Sequence, residues 1–181
     1  MKVLATDIEG VFIIETPKFE DNRGYFFEGY NKKKFEEMGL NYDFVQDNQS
    51  KSGFGTVRGL HFQKGEHAQA KLVRVLDGTV IDVAVDLRKG SKTYGKHVAV
   101  ELSVVNNRQL MIPRGFAHGY SVISTEAVFM YKTDNYYNKE SEGGLYFNDP
   151  ELGIDWKINS DDAILSDKDK KLPLLKDVGE V

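Results

Sequence analysis

Thr79-Val80-Ile81-Asp82-Val83-Ala84-Val85-Asp86-Leu87 alternates with a period of two. Ile81, Val83, Val85 and Leu87 fall on one face, Asp82 and Asp86 on the other, the pattern of a strand and not of a helix. Turn pairs bracket it, Asp77-Gly78 before and Lys89-Gly90 after. Working outward, Lys96 to Ser103 repeats the alternation, with Val98, Val100 and Leu102 opposite His97, Ala99 and Glu101. Ala127 to Thr133 is β-branched and aromatic, and Leu110-Met111-Ile112 stops at Pro113. With a further turn at Asn106-Asn107, the chain reads as an all-β sandwich or barrel. The spacing predicts one helix before the last third, Asn31 to Met38, with Phe35 and Met38 on one face and Gly39 to end it. The tail from Asp161 to Lys171 reads as short helical turns, with Asp161 or Asp162 as cap.

The 181 residues carry no repeat, low-complexity tract or Ser/Gly linker, so a single domain over 1–181 is expected. A composition of 40% apolar and 29% charged residues suits a soluble globular chain with a core of its own. No apolar run approaches the roughly 20 residues needed to cross a bilayer, so no membrane association is expected. Met1 to Asp7 meets an acidic residue too early for a secretory signal. Together with zero cysteines, this fits a cytoplasmic protein. A net charge of -4 argues against nucleic acid as partner, since a polyanion needs a basic surface. A small anionic ligand needs only one or two well-placed arginines.

Four polar segments break the apolar pattern: Asp21 to Glu28, Phe44 to Ser50, Val57 to Gln63 with the following Lys71 to Val75, and Pro113 to Tyr120. On the strands, sparse polar groups suit a ligand-holding lumen better than a solvated sheet face. Arg23 and Arg58 have planar forks that bind phosphate or carboxylate oxygens in pairs. Arg58 and His61 are three apart and would face opposite sides of an ideal strand; a bulge at Gly59 could bring them to one site. His61 can take a proton near neutral pH, Lys71 can stabilise an oxyanion, and Tyr131, on the strand face of Phe129, could return a proton. Each also has a bland reading: a packing histidine, a core tyrosine, surface arginines paired with acids, and Asp82 accepting a strand hydrogen bond. From the residues alone the chain is a β-barrel with a polar cavity that suits an anion.

Metal and redox chemistry are not expected. A metal cupin carries a His-x-His pair with a downstream Glu and His, whereas His61-Phe62-Gln63 puts Gln at the second position and His67 falls on a loop. The chain also lacks a Gly-rich dinucleotide fingerprint, so no cofactor is anticipated.

Arg23-Gly24-Tyr25-Phe26, Phe44 to Asn48, Arg58 to Gln63, Lys71 to Val75, Asp82 to Arg88, Pro113 to Gly119, Tyr131 to Thr133 and Asn148 to Pro150 together resemble the dTDP-4-dehydrorhamnose 3,5-epimerases. They occur in that family's order between about residues 8 and 173. The resemblance implies a cupin-like double-stranded β-helix (a jelly-roll barrel) with a few short helices, forming a metal-free homodimer that acts on a dTDP-sugar. It implies His61 as general base oriented by Asp169, with Asp167 the alternative; Lys71 as the enolate stabiliser; and Tyr131 as the acid. Arg23, Glu28, Gln46, Asn48, Arg58, His118, Glu142 and Lys168 resemble nucleotide or sugar contacts, and Asp82 a carboxylate beside His118. Leu145-Tyr146-Phe147 departs from the family's usual residues before Asn148. A single-position 5-epimerase, a related ketoisomerase, a carbohydrate-binding cupin and a metal oxygenase remain the rival readings.

Overall fold

Both faces of the Thr79–Leu87 run are buried, and they face different cores. In the computed structural model, which describes residues 1–179 and 181, Val80 and Ala84 pack with Val73, Leu110 and Phe129 in a cluster between two sheets. Ile81, Val83, Val85 and Leu87 instead meet Leu60, Phe62, Phe147 and Trp156 on the outer side of their sheet. The strand is therefore buried from Val80 onward because the C-terminal third covers the face that the alternation marked as apolar.

The chain begins with β1 (Lys2–Ala5), β2 (Phe12–Glu15), the hairpin β3 (Phe19–Asp21) and β4 (Gly24–Phe26), and helix α1 (Lys32–Glu37). Then come β5 (Gln46–Gly53), β6 (Val57–Gln63), β7 (Lys71–Asp77) and β8 (Thr79–Asp86). β9 (His97–Ser103), β10 (Arg108–Ile112), β11 (Phe116–Val122) and β12 (Glu126–Thr133) follow, with a short β13 (Glu142–Gly144) and a final turn of helix, α2 (Leu175–Val178). One sheet has the order β1-β2-β10-β7-β12-β5, the facing one β13-β6-β11-β8-β9, and β3-β4 stands apart. The strand pairs within these sheets are antiparallel. This is the expected jelly roll of two facing sheets; its hydrogen bonding does not close into a continuous barrel.

The predicted helix is present. The Asn31 side chain accepts a hydrogen bond from the Lys34 N–H at 3.2 Å, the N-cap arrangement, and Phe35 is buried against Tyr30. In the tail, short 3₁₀ turns form at Ser160–Asp162 and Asp169–Lys171. The cap of the first is Asn159 and not Asp161 or Asp162, because the turn starts one residue earlier and Asn159 accepts from the Asp161 N–H. The Leu145–Phe147 departure is absorbed by packing: Leu145 and Phe147 are buried, and the Trp156 indole donates to the Phe147 carbonyl at 2.8 Å. No helix among the described residues is long and apolar enough to cross a membrane.

Candidate active site

Between the sheets lies a cavity of about 680 Å³. Side chains reach it from both. β6 and β11 carry His61 and His118 on one wall, and β7 and β12 carry Lys71 and Tyr131 on the other.

The spacing problem between Arg58 and His61 is solved by the register. His118 pairs with His61 and Tyr120 with Arg58, so three steps on β6 oppose two on β11. That extra residue is a bulge, and it turns both side chains into the cavity. Gly59 permits it: its φ is +120°, and a Cβ there would lie 2.6 Å from the Gly119 Cα.

His61 Nε2 lies 2.7 Å from Asp169 Oδ1. Burial pushes the Asp169 carboxyl up, but the hydrogen bond and charge of His61, the Gly59 N–H and the Ser166 hydroxyl outweigh it and hold Asp169 below the usual carboxylate range. Asp167 points to solvent beside Lys170, so the structure pairs His61 with Asp169 and leaves the alternative carboxylate outside. Lys71 donates a long hydrogen bond to the His61 carbonyl at 3.4 Å. Burial lowers its pKa to about 8, against the opposing pull of Asp82. Tyr131, opposite Val73 and Asn48, has its phenol pushed up by burial and by Tyr120, partly countered by Arg58.

Deeper in the wall, His118 Nε2 is 2.9 Å from Asp82 Oδ2. Burial pushes this imidazole down despite Asp82, which keeps it neutral near physiological pH. Asp82 is fully buried, and its Oδ1 has no hydrogen-bond partner among the described residues.

Of the residues singled out from sequence, His61, Lys71, Tyr131, Asp169, Asn48, Arg58, His118, Glu142 and Lys168 line the cavity. Lys168 and Glu142 pair at 2.7 Å. Asp82 sits behind His118, and Gln46 donates to Asn48 from outside the lining. Arg23 and Glu28 do not reach the cavity of their own chain. Arg23 is exposed and paired with Asp21, while Glu28 pairs with Lys34 beside α1. Sequence reasoning missed Tyr120 and Ser50 as lining residues, joined at 2.8 Å. The available signal was the period of two, which puts Tyr120 on the face of His118 and Ser50 on that of Asn48. Among the described residues, no cluster of three His, Asp or Glu side chains forms a metal-ligand set.

These parts can remove a proton, hold an oxyanion and deliver a proton from the opposite wall. A profile of the dTDP-4-dehydrorhamnose 3,5-epimerase family matches residues 5–177. The dTDP-4-dehydrorhamnose 3,5-epimerase of Salmonella typhimurium is 53% identical, over 97% of this chain and 96% of that one. The crystal structure of the Elizabethkingia anophelis enzyme of the same name superposes with a TM-score of 0.94 at 59% identity, covering 99% of this chain and 98% of the other. The Legionella pneumophila dTDP-6-deoxy-D-glucose-3,5-epimerase, solved with dTDP-4-keto-L-rhamnose, gives a TM-score of 0.94 at 46% identity, over 98% and 94% of the two chains.

Proposed function

The chain belongs to the dTDP-4-dehydrorhamnose 3,5-epimerase family, and from that premise we propose that it inverts C3 and C5 of dTDP-4-dehydro-6-deoxy-D-glucose to give dTDP-4-dehydro-L-rhamnose. The observation that carries the reading is the opposition of the His61–Asp169 pair on one wall to Tyr131 on the other, with Lys71 in the same cavity.

Both carbons adjoin the C4 carbonyl, so loss of either proton leaves an electron pair that delocalises onto O4 as an enolate. His61 takes the proton, and Asp169 orients the imidazole and balances the charge it gains. The Lys71 ammonium, desolvated by burial, stabilises the enolate oxygen, a contact that counts for several-fold more there than in water. Tyr131 returns a proton to the opposite face, and inversion follows because acid and base stand on different sheets. Asn48, Arg58, His118, Glu142 and Lys168 hold the sugar and the nucleotide diphosphate.

The active assembly is a homodimer. Phe19, Tyr25 and Phe26 are 65%, 51% and 69% exposed on the β3–β4 hairpin, an apolar surface that suits burial against a second copy. Packed there, Arg23 and Glu28 serve the partner's cavity, which accounts for their distance from their own. Sedimentation tests the stoichiometry, and mixing an Arg23→Ala protein with a His61→Asn protein restores activity only when the hairpin acts across the dimer.

Proton NMR in heavy water with dTDP-4-dehydro-6-deoxy-D-glucose tests the reaction. Deuterium enters at C3 and C5 in the expected outcome. Label at one carbon alone establishes a single-position epimerase, and no exchange removes the catalytic reading.

A further inference from the structure

Of the chain's six arginines, Arg23, Arg88, Arg108 and Arg114 each pair with a carboxylate. Arg58, on the cavity wall, makes no ion pair among the described residues. Neutral groups of β5 hold it instead: Nε donates to the Ser52 hydroxyl at 2.9 Å, and Nη2 donates to the Lys51 carbonyl at 3.4 Å. Ser52 is 7% exposed, and its hydroxyl has no other partner among the described residues. It continues the inward row of Asn48 and Ser50 along β5, opposite Ala127 of β12.

A carboxylate partner would neutralise Arg58 and compete with an incoming anion. A hydroxyl and a carbonyl do neither; they fix the guanidinium plane and leave its charge available. Because these bonds occupy the Nε–Nη2 edge, the Nη1–Nη2 end remains for a bidentate ligand. The bond also spans the two sheets, since β5 and β6 belong to different ones. A guanidinium anchored this way loses less rotamer freedom when an anion binds.

We propose that Ser52 is a positioning residue that aims Arg58 at the phosphoryl oxygens of the nucleotide diphosphate. This rests on the dTDP-sugar reading, with Ser52 added as the group that makes Arg58 effective. A serine that merely stitched the sheets would support the fold without favouring any ligand.

The test is a double-mutant cycle on dTDP binding by calorimetry, using the wild type, Ser52→Ala, Arg58→Ala and the double variant, with thermal midpoints alongside. Ser52→Ala weakens dTDP binding by roughly tenfold, the scale of one hydrogen bond to a charged group. In the Arg58→Ala background it changes nothing further. Ser52→Thr, which keeps the hydroxyl, restores affinity, and in turnover Ser52→Ala raises KM more than it lowers kcat. Equal affinity of Ser52→Ala and wild type overturns the proposal, as does an equal loss in the Arg58→Ala background. A wild type that does not bind dTDP overturns the substrate reading as well, which separates that failure from failure of the serine's role.

Discussion

Two histidine–aspartate pairs stand on one rung of the same sheet, since His61 and His118 are register partners on β6 and β11. Their hydrogen bonds are nearly alike, 2.7 Å to Asp169 and 2.9 Å to Asp82. Their surroundings are not. The His61 side chain is 37% exposed toward the cavity, whereas that of His118 is 7% exposed and its aspartate fully buried. Burial penalises the charged imidazole at His118, so that pair works as a neutral donor and a fixed acceptor. His61 keeps access to the cavity and a carboxylate held ionised, which is what a base needs. The lesson is that pair chemistry alone does not assign a role; the dielectric around it does.

The largest test of that contrast is to remove each imidazole. His61→Asn lowers kcat by about 100-fold or more while dTDP binding persists, and Tyr131→Phe does the same. His118→Asn acts mainly on KM. Steady-state kinetics with calorimetry distinguish them, and equal kcat losses at His61 and His118 break the comparison.

Next is Lys71→Met, with a kcat loss of roughly 100-fold from the missing ammonium. Its stability effect has the opposite sign. The folded pKa of about 8 lies below the usual 10.5, so the charged form disfavours folding at neutral pH and the penalty fades as pH rises from 8 through 10.5. Discounted for a partly exposed side chain, the variant is more stable near neutral pH by about 1–2 kcal/mol, read by thermal or urea unfolding.

Smaller still is Asp82→Asn. Asp82 raises the Lys71 pKa, so its removal moves the alkaline limb of the kcat profile, set by loss of the Lys71 proton, to lower pH. An unmoved limb means that Asp82 supports His118 alone.

The smallest effect is in acid. Asp169, depressed in the folded state, contributes stability above the ordinary carboxylate pKa that is lost as pH falls through its folded value. Asp169→Asn flattens that part of the stability profile in unfolding titrations. His118, also depressed, adds a separate loss as pH falls below about 6.5, which the Asp169 variant retains.

Much of the fold was legible in the order of residues. Alternation marked β8 and β9, and Asn31 with Gly39 bounded α1, because these signals act within a few residues. The site was legible as a collection of segments, and their family resemblance supplied roles for them. What alternation could not say was which face of β8 met the other sheet. That depended on where residues 145–178 packed, and both faces ended buried.

The sequence by itself determined β8, β9, β10 and β12, the turns beside them and the inventory of acid, base and cation, since each is written in local spacing and side-chain chemistry. Only the tertiary structure chose Asp169, 108 residues from His61, over Asp167 as its partner, and put the bulge at Gly59 in place so that Arg58 and His61 meet in one cavity. It also made one imidazole open and its neighbour buried. Desolvation and long-range register are properties of the packed chain, and no short stretch of residues contains them.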